Sequence, residues 1–304
     1  MTIPAAPTAP TPTPDSLTGE RLEAAASIPA DVIAIGAILL AISTAAVVPF
    51  WFGADPILLP VVILTVAWTP ALTCFIADRI TRSRAAPEAV AGFRSQAGLT
   101  TGRPWTGSLA ALAVLLSVAA VSTGIGAFAG WQPLNIGADA LAVLTLLPLA
   151  AVLMLVQVTG EEIAWRGYLH TRLTGLGTGT AAGVIAVFWV IWHAPLMLTY
   201  LHLGEMSERA VIVTLMNLGL ASLTLTALRV LSSSVIPAII AHTVLNTVFA
   251  YIASNLVVAQ TSWSGTAFWL TAATGWACWA IAALGLAIAQ QRRAHRQPVG
   301  QRSF

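Results

Sequence analysis

The sequence predicts an all-α fold, a polytopic transmembrane helical bundle of about eight spans, and three observations lead there. Hydrophobic residues make up 57% of the 304 and charged residues only 9%, whereas a soluble domain carries roughly a quarter charged. The mean hydropathy is +0.83. The charges are also thinly spread: Asp55 stands alone between Val32 and Ala77, Asp139 between Gly107 and Gly160, and Arg229 between Val211 and Gln291. Apolar runs of about 20 residues are what a helix needs to cross a bilayer. Alternation with a period of two is absent, which speaks against a β-barrel.

Taken in order, the apolar runs place spans at 31–52, 56–77, 107–129, 139–165, 180–201, 210–228, 235–256 and 264–289. Turn-forming stretches separate them, among them Gly53-Ala54-Asp55-Pro56, Gly102-Arg103-Pro104 and Ser232-Ser233-Ser234. Residues 1–30 form a Pro/Ala/Thr-rich tract without a basic stretch ahead of a short apolar one, so they read as a disordered leader and not as a cleaved signal peptide. No internal repeat is visible, against the inverted-repeat transporters.

The basic residues give an orientation. All fourteen are arginine, a feature of composition that points to a GC-rich bacterial genome and not to a function. Arg79, Arg82, Arg84, Arg94 and Arg103 fall in the 78–106 loop, and Arg292, Arg293, Arg296 and Arg302 in the C-terminal tail. Arg172 and Arg229 mark two further connections. With eight spans all of these lie on one side, which the positive-inside rule makes the cytoplasm, together with both termini. The expected location is therefore the bacterial cytoplasmic membrane, with membrane lipid as the surroundings. A net charge of +2 without a basic stripe excludes a nucleic-acid partner. Cys74 and Cys278 both lie in apolar spans, so no thiolate metal site is expected.

Ionisable residues inside a span are costly and face a cavity or a partner. Three groups occur. In Gly160-Glu161-Glu162-Ile163-Ala164-Trp165-Arg166-Gly167, Glu162 and Arg166 stand four apart and pair on one helical face. Glu161 is turned by about 100° from Glu162, leaving one carboxylate free. In Trp189-Val190-Ile191-Trp192-His193, the imidazole sits one turn after an indole. In His242-Thr243-Val244-Leu245-Asn246, a second imidazole shares a face with an amide. Each group alone has a bland explanation: a juxtamembrane charge cluster, a satisfied buried histidine, interhelical hydrogen bonding.

Depth ties the groups together. Counted at about 1.5 Å per residue from the arginine-bearing ends, Glu161, His193, His242 and Asn246 fall in overlapping layers roughly 10–20 Å deep, reached from the cytoplasmic side. A carboxylate and an imidazole on one water make a general base. An imidazole and an amide can donate to a carbonyl oxygen as charge develops on it. The reaction implied is amide hydrolysis by activated water. No serine stands in a G-x-S-x-G context, so a serine nucleophile is disfavoured.

The three groups together resemble the CPBP family, the CAAX prenyl protease type II and bacteriocin-processing or immunity membrane proteins. Its pattern is E-E-x-x-x-R, F-x-x-x-H and H-x-x-x-N. The first and third are met by Glu161-Glu162-Ile163-Ala164-Trp165-Arg166 and by His242 with Asn246; the second departs, with Trp189 where the family has Phe, next to Phe188. The resemblance covers about residues 140–256 and implies a CAAX-protease-like intramembrane endopeptidase acting on a membrane-associated peptide or protein. It further implies that Glu161 activates water with His193, that His242 and Asn246 form the oxyanion site, and that Glu162, Arg166 and Trp189 support them. Members are often labelled metalloproteases; a zinc ion would take Glu161, His193 and His242, yet H-E-x-x-H is missing and a metal-free glutamate mechanism without cofactor is preferred. The chain then divides into a leader (1–30), N-terminal helices with the basic loop 78–106 (31–135), a CPBP-type catalytic core (136–256), and the last helix with its basic tail (257–304). Two further readings stand beside the protease: a non-catalytic immunity or scaffold protein, and a proton-coupled transporter.

Overall fold

The computed structural model describes residues 27–84 and 91–296. The expected leader falls almost wholly outside the described residues, as do part of the basic loop and the end of the tail.

Eight helical spans long and apolar enough to cross a membrane run through the described residues: α1 (Ala30–Trp51), α2 (Pro56–Ser83), α3 (Pro104–Phe128), α4 (Leu147–Leu176), α5 (Thr178–His202), α6 (Glu208–Ser232), α7 (Ile236–Leu256) and α8 (Gly265–Arg293). The architecture is the expected all-α polytopic bundle, and the chain is an integral membrane protein. Local chemistry sets the boundaries. Asp55 accepts a hydrogen bond from the backbone of Ile57 at 2.9 Å ahead of Pro56, and Ser207 caps α6 by accepting from Ala210 at 3.3 Å. Such caps satisfy amides that have no partner in the first turn. Gly177, at φ +82°, makes the reversal between α4 and α5, a conformation open to glycine without a Cβ penalty.

The fourth span differs from its expected bounds of 139–165. Ala138–Leu144 is a separate short helix, and α4 continues to Leu176, well past the charged cluster. Hydropathy ends a span at its charges; here they are paired inside the protein, so the helix runs on through them.

Neighbour contacts close a ring in the order α1, α2, α4, α7, α6, α5 and back to α1. Outside it, α3 packs on α6, α7 and α8, and α8 on α6. The main core draws on all eight spans, with Trp165, Tyr168, Trp189 and Trp279 among its largest buried side chains. Side chains such as Ile33, Val61, Leu109, Leu153 and Ile281 are exposed on the outside of the bundle, where lipid replaces water as the contact.

The arginine-bearing ends are bound together by backbone. Arg103 N donates to Ser232 O at 2.7 Å, Val235 N to Gly98 O at 3.1 Å, and Thr101 Oγ1 to Ser233 O at 2.8 Å. A Cβ on Gly102 would stand 2.2 Å from Ser232 O, and its φ is +83°. Only glycine permits that approach. Further ties join Arg172 to Asp31 and the Arg293 guanidinium to Leu231 O. The segment around Phe93–Gln96 is held over this end of α4 by Thr171, whose hydroxyl donates to Gln96 O at 2.7 Å.

Candidate active site

Glu161 and Glu162 end the α-helical part of α4, and Ile163–Leu169 follows as a π-helical turn. Such widened turns occur mostly as short interruptions, often at functional sites. The glycines on either side are sites of close packing. A Cβ on Gly160 would lie 2.6 Å from Ala67 O on α2, and one on Gly167 would lie 2.6 Å from Ala97 O. The cluster is thus wedged between α2 and the connector that precedes α3.

Glu162 and Arg166 are fully buried, both at 0% exposure. They form the ion pair expected from their spacing, Arg166 Nη1 donating to Glu162 Oε1 at 2.8 Å. The same oxygen accepts from His242 Nδ1 at 2.8 Å, and Arg166 Nη2 donates to Ser222 Oγ at 2.8 Å. The guanidinium also lies over the Trp189 ring, 4.3 Å from its centroid. A buried ion is tolerable only with such partners, and α4, α5, α6 and α7 each supply one.

Glu161 faces elsewhere. Its Oε2 accepts a hydrogen bond from Trp189 Nε1 at 3.0 Å and stands 3.9 Å from His193 Nε2. His193 Nδ1 contacts Trp189 O at 2.8 Å. A carbonyl oxygen only accepts, so Nδ1 carries a proton and Nε2 is the nitrogen turned toward Glu161. A water at about 2.8 Å from both atoms fits that 3.9 Å gap in a bent arrangement. Trp189 is the hub of the site: its ring also meets His193 and His242 edge to face, with centroids 4.9 and 5.2 Å away. Phe188 points outward to α1, where it would lie 2.9 Å from a Cβ on Gly36.

Glu161, His193, His242 and Asn246 all line one cavity of about 300 Å³, to which each of the six ring helices contributes. Asn246 belongs to a second π-helical turn, Leu245–Phe249, and its side chain makes no hydrogen bond among the described residues. The structure therefore brings these four together, with Glu162, Arg166 and Trp189 packed behind them.

The cavity lies on the side opposite to that expected. Beyond the Glu161 layer toward the arginine-bearing end, Ala164 to His170 and Leu173 are all buried. In the other direction the lining runs through Leu196 to Tyr200, only two residues before the end of α5. Glu161 is also near the middle of its span, about 21 Å from either end at 1.5 Å per residue. Depth counting from one side could not tell which half was filled.

Residues 143–248 match a family model described as Type II CAAX prenyl endopeptidase Rce1-like. This segment is similar to that family. It spans a little over a third of the chain and includes all seven residues singled out above. The match agrees with the CPBP resemblance carried by the three motifs and with a protease of the CAAX type. No curated protein and no solved structure matches the chain significantly.

The cavity is not built from the Rce1-like segment alone. Ser43 and Val47 on α1, and Val62, Ile63 and Val66 on α2, form a wall that lies outside it. Other contributors were absent from the motif reading. Gln157 lines the cavity one turn before Glu161, and its place in an apolar run was a legible signal. Ser222, the third partner of the Arg166 network, has none, being one small hydroxyl among several on α6. Among the described residues no group of three or more His, Cys, Asp or Glu is placed to hold a metal ion. In the set that zinc would take, Glu161, His193 and His242, both imidazole Nδ1 atoms are engaged, His193 with a carbonyl and His242 with Glu162, which leaves Nε2 of each ring turned to the cavity side.

Proposed function

We propose that the protein is an intramembrane endopeptidase that hydrolyses a peptide bond of a membrane-associated peptide or protein, using water activated by Glu161 with His193. The observation that carries it is the convergence of Glu161 Oε2 and the free Nε2 of His193, 3.9 Å apart, on the wall of a cavity inside the bundle. The match of the surrounding segment to a CAAX endopeptidase family supports the same reaction class.

The steps follow from the donors and acceptors. A water bound between Glu161 and His193 gives a proton to the carboxylate as its oxygen attacks the carbonyl carbon of the substrate. Negative charge then develops on the carbonyl oxygen. Asn246 and the Nε2 of His242 supply hydrogen bonds to it. Because His242 Nδ1 donates to Glu162, donation from Nε2 as well requires the imidazolium form. With that proton the group Glu161, Glu162, Arg166 and His242 sums to zero charge, which suits a site inside a membrane. Glu161 returns its proton to the departing amine, and the new carboxyl and amino termini leave.

The reading is tested by comparing protein termini in membrane and secreted fractions of wild-type cells and cells carrying Glu161→Gln. Termini present only in the wild type are expected, at equal abundance of the two proteins. Identical sets of termini would overturn it.

A further inference from the structure

We propose that the cavity takes an uncharged, apolar stretch of a membrane-anchored peptide from the arginine-poor face of the membrane; this rests on the endopeptidase reading of the same site and names its substrate class. Three observations support it.

The first is where the lining ends. Tyr200 lies two residues before the end of α5, Val47 four before the end of α1, and Thr214 six after the start of α6. At about 1.5 Å per residue these are within about 3–9 Å of the arginine-poor end of each helix. The second is the closure of the opposite half. There the π-helical turn of α4 is buried, the backbone at Ala97 presses on Gly167, and Arg229 Nε donates to Arg166 O at 3.1 Å. A lipid-modified tail anchored in the leaflet on that side would meet packed protein.

The third is the chemistry of the wall. Apart from Glu161, His193 and His242, every lining side chain is neutral, half of them aliphatic. A charged substrate side chain would lose its hydration there without gaining a partner. Just outside, the connections on this face hold Asp55, Asp139, Glu205 and Glu208 against the single Arg209. An apolar stretch flanked by a basic residue suits that arrangement. By the positive-inside rule this face is the extracytoplasmic one, so the substrate presents its scissile segment from outside the cytoplasm.

Side-specific cysteine labelling of the full chain in native membranes tests this without requiring turnover. Cys74 and Cys278 are first replaced by alanine. Thr214→Cys then reports on the cavity, Glu205→Cys on the arginine-poor face and Arg94→Cys on the other. With a membrane-impermeant maleimide whose charged group sits at the end of a long linker, so that only the uncharged ring enters the cavity, Thr214→Cys and Glu205→Cys should label in intact cells at least tenfold faster than in inside-out vesicles, and Arg94→Cys the reverse. A Leu/Ala octapeptide should slow Thr214→Cys labelling at least threefold, and the same peptide with a central Asp should not. Labelling of Thr214→Cys together with Arg94→Cys, labelling from neither side, or equal protection by both peptides would overturn the proposal. So would labelling of Glu205→Cys from the cytoplasmic side. Cavity labelling as expected in a protein that cuts nothing would sink the endopeptidase reading alone.

Discussion

The two halves of the bundle that meet at Glu161 and Glu162 treat polar groups in opposite ways. On the arginine-bearing side, Glu162 is held by Arg166 and His242, and Arg166 by Ser222 and the Trp189 ring, all away from solvent. On the other side, Glu161, His193, Gln157 and Asn246 line open space, and Glu161 has one short hydrogen bond, from Trp189. Neighbours in sequence, the two carboxylates are separated by the turn of the helix into different surroundings. One half is built to be stable, the other to admit something.

That contrast predicts mutants of two kinds. Arg166→Met should give the largest effect on stability, because it leaves the buried Glu162 with His242 as its remaining hydrogen-bond partner. Removing one partner of a buried pair costs about 3–5 kcal/mol, so thermal unfolding in detergent should shift down by many degrees. A wild-type unfolding curve would erase the distinction between the halves. Trp189→Phe comes next and should act on the other half. It keeps an aromatic ring but loses the hydrogen bond to Glu161. Hydrogen bonds to charged groups contribute about 1.5–3 kcal/mol, so kcat should drop roughly 10- to 100-fold with KM nearly unchanged, while the smaller buried ring lowers the unfolding temperature by less than Arg166→Met does. An equal change in KM would mean that Trp189 binds substrate instead. Gly167→Ala has the smallest effect expected. Its Cβ would stand 2.6 Å from Ala97 O, and overpacking of this kind costs about 1–3 kcal/mol. A lowered unfolding temperature with cleavage retained at low temperature would place it in the stable half.

Much of this was legible in the sequence, for physical reasons that also mark where legibility stops. Apolar runs at membrane length fix the number of spans because an unpaired backbone in lipid is prohibitive. The pairing of Glu162 with Arg166 follows from their i, i+4 spacing alone. Hydropathy ends α4 too early because it treats every charge as an end, whereas the continuation of the helix depends on partners contributed by other helices. Nor does spacing disclose that Trp189, standing where the family has Phe, aims its indole N–H at Glu161. The side on which the cavity lies depends on how α1, α2 and the 93–103 connector pack. None of those carries a motif.

The most direct measurement is single-turnover cleavage by the purified wild-type protein and its Glu161→Gln variant in lipid nanodiscs, on a membrane peptide that the comparison of termini identifies. General-base removal is expected to lower the rate about 10²–10⁴-fold, while peptide affinity and unfolding temperature stay at wild-type values. Cleavage by Glu161→Gln at the wild-type rate would contradict the assignment of Glu161 as the group that activates water.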